Sequence, residues 1–228
     1  MSSEQSEYER QWRDYRTENG VRPVREFLFS LPDEDRAAIL EEMEYVREHG
    51  RSVARHLRKD IYEVRATYHT KIYRILFACE GRFNHILLSL EGFHKKTQRT
   101  PENAIKLAEQ RLVDWRRRGK AKRKSQENER RNDMEQDFLD EMIEESTKRN
   151  PDFPTLMEEA RQRRALLSHL AAIRSRSKIS QTTIAKRIKT SQPAIARLEA
   201  GIVDPRLSTL QRYAASVGKR VEWTLVDA

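Results

Sequence analysis

Five residues in the first half of the chain have the types and spacing to handle a phosphodiester without a metal: Arg65, Arg74, His94, Lys95 and Lys96. Arg65 alternates with apolar residues in IYEVRATY, Arg74 interrupts the hydrophobic run IYRILF, and His94-Lys95-Lys96 follows ILLSLEGF. An arginine on the inward side of a strand needs an anionic partner or a path to water. Cations gathered on a sheet can hold RNA phosphates and stabilise the charge that develops on a phosphorane. Imidazole is the side chain that ordinarily titrates near neutrality, which makes His94 a candidate proton donor or acceptor. A structural account competes: Arg65 pairs with Glu63 or a helix carboxylate, and the lysines form a solvated strand end. Residue types alone leave both accounts open.

A second group can read nucleic acid. From Gln181 the chain runs QTTIAKRIKTSQPAIARLEAG, with Ile184, Ala185, Ile188, Ile195 and Leu198 spaced for two short helices crossing steeply. Ser180 and Ser191 are N-cap residues, Pro193 fits the opening turn of the second helix, and Gly201 ends it. Thr190, Ser191, Gln192 and Arg197 then present polar groups from the second helix and its start. Gln192 suits bidentate pairing with adenine, and Arg197 suits guanine or a phosphate. Gln181, at the first helix N-terminus, suits the backbone. The alternative is a helical protein-interaction bundle with a solvated polar face.

The elements needed to position the first group can be read from periodicity. QWRDYRTE alternates as a short strand, and Val24, Phe27, Leu28 and Leu31 form a helical stripe after Pro23. A second helix opens at Pro32-Asp33, buries Ile39, Leu40, Met43 and Val46, and stops at Gly50. Strands are predicted over Ile61 to Tyr68, Ile72 to Cys79 and Ile86 to Leu90, as an antiparallel meander with hairpin connections at His69-Thr70 and Glu80-Gly81. In the first strand Tyr62, Val64, Ala66 and Tyr68 share one face, and Glu63, Arg65 and Thr67 the other. Thr100-Pro101 is expected to cap a helix carrying Ile105, Ala108, Leu112 and Trp115. Near the C-terminus, Ser208 to Gln211 reads as a capping box on a helix burying Leu210, Ala214 and Val217.

Charge separates these regions. The 228 residues carry 45 Lys+Arg against 36 Asp+Glu, a net of +9, which favours an anionic partner. Arg116 to Arg131 holds nine basic and two acidic residues, too polar to bury much surface, and reads as a linker or frayed helix end. Asp133 to Glu159 reverses the sign, with ten acidic residues against Lys148 and Arg149. Within it Phe138, Leu139, Met142 and Ile143 make a narrow apolar stripe, either an ordinary helix face or an inhibitory contact for the basic domain. One cysteine, no signal-peptide-like start and no apolar run near the ~20 residues of a membrane span lead to the expectation of a cytoplasmic protein without membrane association. The six histidines lack metal-ligand spacing, and neither metal nor cofactor is expected.

Two stretches carry family resemblances. RPVREFLFSLP, DIYEVRATYHTKIYRILF and ILLSLEGFHKKTQRTPENAIKLAEQRL resemble the HigB branch of the RelE/ParE toxin superfamily over roughly Gln11 to Trp115, most distinctively in GFHKKTQRTP. The resemblance implies a metal-independent endoribonuclease acting on ribosome-bound mRNA, with the RNA 2′-hydroxyl attacking the adjacent phosphate. It would place Arg74 on the transition-state phosphate, Lys95 and Lys96 on the backbone, and Arg65 in either a catalytic or a supporting role. A related branch of that superfamily poisons gyrase without cutting. SQPAIARLEAG resembles the XRE or lambda-repressor-like domains of HigA antitoxins, over about Leu156 to Val226. It departs from them at Lys189, where glycine is usual, and a left-handed turn there would cost roughly 1–2 kcal/mol.

The expected architecture is therefore an α+β RelE-like domain (two helices, antiparallel sheet, C-terminal helix) followed by an all-α lambda-repressor-like helix-turn-helix domain with a short terminal strand. Residues 1–118 would form the toxin domain, 119–132 a basic linker, 133–154 an acidic helical segment and 155–228 the antitoxin domain. The expected partners are operator DNA, ribosome-bound mRNA when the toxin domain is released, and a second copy of the chain in a homodimer. The alternative is a non-enzymatic repressor whose first domain is a degenerate toxin used for dimerisation or partner binding.

Overall fold

The computed structural model describes residues 9–95, 99–125, 136–201, 203 and 205–222. The chain divides into two compact units, one of residues up to Ala66 with Lys71–Met157, the other of Thr67–Thr70 with the residues from Glu158 onward.

Among the described residues the first unit is built on five strands: β1 (Gln11–Asp14), β2 (Arg55–Arg58), β3 (Ile61–Tyr68), β4 (Lys71–Glu80) and β5 (Ile86–His94). Their order is β1-β5-β4-β3-β2. β4 and β5 are antiparallel, but β1 lies parallel to β5, with Gln11 opposite Ile86 and Asp14 opposite Ser89. The sheet is thus mixed, which corrects the antiparallel expectation: two helices and three strands separate β1 from β5 along the chain, so no hairpin dictates its direction. β2, of sequence RHLR, has no apolar alternation to announce it and forms by pairing with the edge of β3. β5 runs on to His94, so the His-Lys-Lys group begins inside a strand rather than after it. The β4–β5 connection is also longer than a hairpin turn, holding a 3-10 turn over Arg82–Asn84.

Both faces of the sheet are covered. α1 (Pro23–Phe29) and α2 (Asp33–His49) lie on one side, where Val24, Leu28, Leu40 and Met43 join Trp12, Val64, Tyr73, Ile75, Phe77 and Leu87. Trp12 is fully enclosed, donates from Nε1 to the Met43 carbonyl at 2.9 Å and meets Phe77 edge-on. α3 (Glu102–Ser125) covers the other side, packing Ile105, Ala108 and Leu112 on Ile61, Leu76, Ala78, Leu88 and Leu90. It continues through Ser125, into the basic stretch that begins at Arg116. Glu63 is buried on the α3 face, opposite the one that carries Val64 and Ala66. Gly92 lets α1 cross β5 closely: a Cβ there would collide with Phe27 Cδ1.

The acidic segment forms α4 (Phe138–Arg149), capped by Asp137, whose carboxylate accepts from Leu139 N at 2.8 Å. Phe138, Leu139 and Met142 are completely buried in the same core as α1 and α2, with Ile143 packed at its margin and Phe153 and Met157 beyond. α4 is therefore part of the first unit's interior.

The second unit is helical. It takes the later part of α5 (Phe153–Arg176), then α6 (Gln181–Arg187), α7 (Gln192–Glu199) and α8 (Leu207–Ser216). Ile184, Ala185, Ile188, Ile195, Leu198, Leu210, Tyr213, Ala214 and Val217 form its core with Leu167 and Leu170. Ser180 accepts from Thr183 N and Ser191 from Ala194 N, so both serine caps form as expected. Lys189 holds the turn at φ 55°, the left-handed conformation anticipated there. The capping box does not form: Arg206 is the N-cap of α8, no side chain caps it, and Ser208 lies one residue inside the helix. The chain's last six residues, 223–228, where a short terminal strand would end, lie outside the described residues.

Removing the Phe138 ring should leave a cavity between α4 and the sheet. Phe138→Ala is expected to lower stability by about 3–5 kcal/mol, whereas Glu144→Ala, on the exposed side of α4, should change it by less than about 0.5 kcal/mol. Denaturant unfolding of the full chain, followed by Trp fluorescence, measures both.

Candidate nucleic-acid interfaces

At one end of the sheet, on its α3 side, β2, β3 and β4 place Arg55, Arg65 and Arg74 around Glu63. The carboxylate oxygens divide the work. Oε2 accepts from Arg65 Nε at 2.6 Å and lies 3.9 Å from Arg55 Nη1. Oε1 accepts from Thr100 Oγ1 and lies 3.2 Å from Arg74 Nε, an ion pair that lacks hydrogen-bond alignment. Thr100 thus serves Glu63 instead of capping α3. Arg74 is 1% exposed, and its Nη1 donates to the Tyr73 carbonyl. Burial lowers its pKa to about 10, with Glu63 opposing and Arg65 and Arg55 adding to the fall. Lys95 sits in the same field. Burial, then the Arg74 charge, lowers its ammonium pKa, while Glu63 pulls the other way.

The structure therefore brings together Arg65, Arg74 and Lys95 of the expected residues, but not His94. His94 stands opposite Tyr73 in the β4–β5 ladder, and the two rings lie 5.2 Å apart on the other face of the sheet. Strand alternation separates adjacent residues His94 and Lys95 in this way. Lys96 lies outside the described residues. Arg74, expected on a phosphate, is closed off from solvent; Arg65 and especially Arg55, whose side chain is 53% exposed, are the outward guanidiniums. Sequence reasoning missed Arg55 and the part Thr100 plays here, while the pairing of Arg65 with Glu63, read there as the structural account, is present. Arg55 and Glu63 come together across the β2–β3 ladder, and the signal for β2 was absent.

On the opposite face of the sheet, α4 meets arginines of α1, α2 and their approaches. Arg22 binds Glu141 through two bonds of 2.5 Å and also holds Asp14. Arg25 pairs with Glu145, and Arg47 with Asp140 at 2.7 Å. Arg36, 3% exposed, donates from Nε to Ser146 Oγ at 2.9 Å. Trp12 N donates to Asp137 at 2.9 Å. The Arg22 hydrogen bonds hold the Glu141 carboxyl below the usual carboxylate range.

In the second unit, Thr190, Ser191, Gln192 and Arg197 are exposed around the start and outer face of α7, with Gln181 half-buried behind them. Gln192 Nε2 donates to Gln181 Oε1 at 2.7 Å, and Gln181 Nε2 donates to Glu199 at 2.9 Å. Glu199 also takes two bonds from Arg174, at 2.6 and 2.8 Å, and one from the Tyr213 hydroxyl at 2.5 Å. One carboxylate ties α5, α6, α7 and α8 together and orients Gln192 through Gln181. Burial and that bond raise the Tyr213 phenol pKa. Among the described residues, no helix is long and apolar enough to cross a membrane.

Residues 170–223, which contain this arrangement, match the family model described as Helix-turn-helix. Residues 26–113, within the sheet unit, match the family described as Phage derived protein Gp49-like. The chain is also 37% identical over 89 residues to Antitoxin HigA1 of Mycobacterium tuberculosis, in strains CDC 1551 / Oshkosh and ATCC 25618 / H37Rv. That similarity covers 39% of this chain and 60% of the antitoxin's length.

Losing Glu199 strands the Arg174 guanidinium. Glu199→Ala is expected to destabilise the second unit by about 3 kcal/mol, and Tyr213→Phe by about 1 kcal/mol. Thermal unfolding of the full chain should show both losses in that order.

Proposed function

We propose that this chain is a toxin and its antitoxin in one polypeptide: a RelE-like, HigB-type mRNA endoribonuclease unit, neutralised by α4, and a helix-turn-helix unit that represses its own operator. The observation that carries the proposal is α4 itself. An acidic helix packs into the core of the sheet unit with its carboxylates on Arg22, Arg25 and Arg47, in a chain that also resembles an antitoxin.

The chemistry follows from charge and reach. Arg65 and Arg55 would hold the non-bridging oxygens of an RNA phosphate, with Arg74 as a fixed positive charge beneath them. The 2′-hydroxyl attacks that phosphate and breaks the bond to the 5′ oxygen. Lys95, an ammonium with its pKa lowered, is better placed than His94 to give its proton from Nζ to the departing 5′ oxygen, while the hydroxyl proton passes to water. Neutralisation works through the arginine face of α1 and α2, which α4 withholds from other anions, because the cationic cluster lies across the sheet from α4. In the second unit Gln192 pairs with adenine, steadied by Gln181, and Arg197 takes guanine or phosphate. A homodimer would present two such helices to half-sites about one helical turn, roughly 34 Å, apart.

The separation of His94 from the cluster favours a second reading, in which the sheet unit is a degenerate toxin and the chain a non-enzymatic repressor. Reversing charges on α4 separates the two. Glu141→Arg with Glu145→Arg sets like charges against Arg22 and Arg25 in the full chain. Arrest of translation on induction, abolished by adding Arg65→Ala, supports the nuclease; no arrest from a folded variant with loosened α4 supports the repressor alone.

Two further outcomes are expected. Lys95→Arg keeps a cation but cannot give up its proton near neutrality, so RNA binding should persist while ribosome-dependent cleavage falls by about 100-fold or more. Gln192→Ala with Arg197→Ala should weaken operator binding in gel shift by roughly 10–1000-fold, at about 1–3 kcal/mol per base contact, with little change on unrelated DNA.

A further inference from the structure

We infer that Glu63 is the positioning residue of the cationic cluster: a buried carboxylate that aims Arg65 and Arg55 at an RNA phosphate and keeps Arg74 fixed behind them. The inference rests on the reading of the cluster as a phosphate site.

An ionised carboxylate this deep is costly unless it is paired from several sides, and Glu63, 1% exposed, is paired from two. Its inner oxygen joins β3 to β4 through Arg74 and to the start of α3 through Thr100. Its outer oxygen meets Arg65 through Nε, not through the terminal fork. A guanidinium held at Nε has its direction set while its fork remains the part that suits phosphate oxygens. Arg55, at 3.9 Å from the same oxygen, is drawn toward the same spot from β2. Four cations (Arg55, Arg65, Arg74 and Lys95) surround this carboxylate, so the cluster stays net positive and still attracts an anion. Without Glu63 the four cations would repel one another. The charge would rise while the aim was lost.

Binding and cleavage should therefore respond in opposite directions, which a merely structural role would not produce. The test uses the full chain and two probes: a 2′-O-methylated dinucleotide, which cannot be cleaved, and ribosome-bound mRNA. Arginine Nε–Hε NMR signals of Arg65 and Arg74 report on the site itself, apart from the other basic regions of the chain. In the wild type, the dinucleotide should shift the Arg65 signal strongly and the Arg74 signal little. Glu63→Gln, nearly isosteric, should bind the dinucleotide roughly two- to fivefold more tightly, with a steeper salt dependence, because a compensating charge has gone. Its cleavage rate should fall at least about tenfold through misalignment. Glu63→Asp, which keeps the charge with a shorter reach, should recover part of the rate.

A wild-type chain that shows no Arg65 shift and no cleavage overturns the phosphate-site reading itself. If the wild type responds but Glu63→Gln binds and cleaves as it does, the positioning role is overturned and the phosphate site survives. Parallel loss of binding, cleavage and thermal stability in Glu63→Gln, with no recovery in Glu63→Asp, would make Glu63 a structural strut only.

Discussion

A carboxylate buried among arginines must be met from every side, and that requirement organises both units. Glu63 draws Arg74, Arg65 and Thr100 to one point, so β3, β4 and the start of α3 hold a common geometry. Glu199 does the same for four helices through Arg174, Gln181 and Tyr213. Such groups are weak contributors to net stability compared with apolar side chains of the same size, but they penalise every arrangement that leaves one partner unpaired. In each unit the hub also reaches an outward polar group, Arg65 in one and Gln192 by way of Gln181 in the other.

The acidic segment shows how apolar and ionic terms share one surface. Phe138, Leu139 and Met142 bury fully, and burial of that kind supplies most of what holds a helix in place. The ion pairs to Arg22, Arg25 and Arg47 add register and orientation more than energy, because most of them are partly exposed and screened. Arg22 is the exception in geometry, gripping Asp14 and Glu141 at once. It links the first strand, α1 and the acidic helix at a single guanidinium.

Local signals in the sequence were reliable where the structure is local. The stripes of α2 and α3, the alternation of β3, the two serine caps and the left-handed Lys189 all depend on neighbours a few residues away, and each is present. What depended on distant partners was not legible. β2 carries no apolar alternation, and the parallel docking of β1 depends on β5, which comes 75 residues later by Cα pairing of Gln11 with Ile86. Ser208 has the spacing of a capping box, yet the backbone starts its helix two residues earlier, so the hydroxyl falls inside the first turn. The cationic residues were found by type. Glu63 was legible as a partner for Arg65 two residues along the same strand face, but its reach to Arg74 on the next strand and to Thr100 was not. His94 and Lys95 look like one group in a string of letters, and a strand turns them to opposite sides.

The parallel β1–β5 pairing and the placement of α4 also impose an order on synthesis. A ribosome that has made β1 must continue through Ile86 before that strand has a partner, and through Met157 before the α1–α2 side of the core is closed. At about 5–20 residues per second, the interval between completing Thr100 and completing Met157 lasts roughly 3–11 seconds. During that interval the residues of the cationic cluster already exist, while Trp12, Leu28 and Met43 lack the helix that covers them in the finished chain. The nascent unit is therefore held in an unfinished state by its own missing core, and the segment that completes its fold is the one bearing the acidic charge.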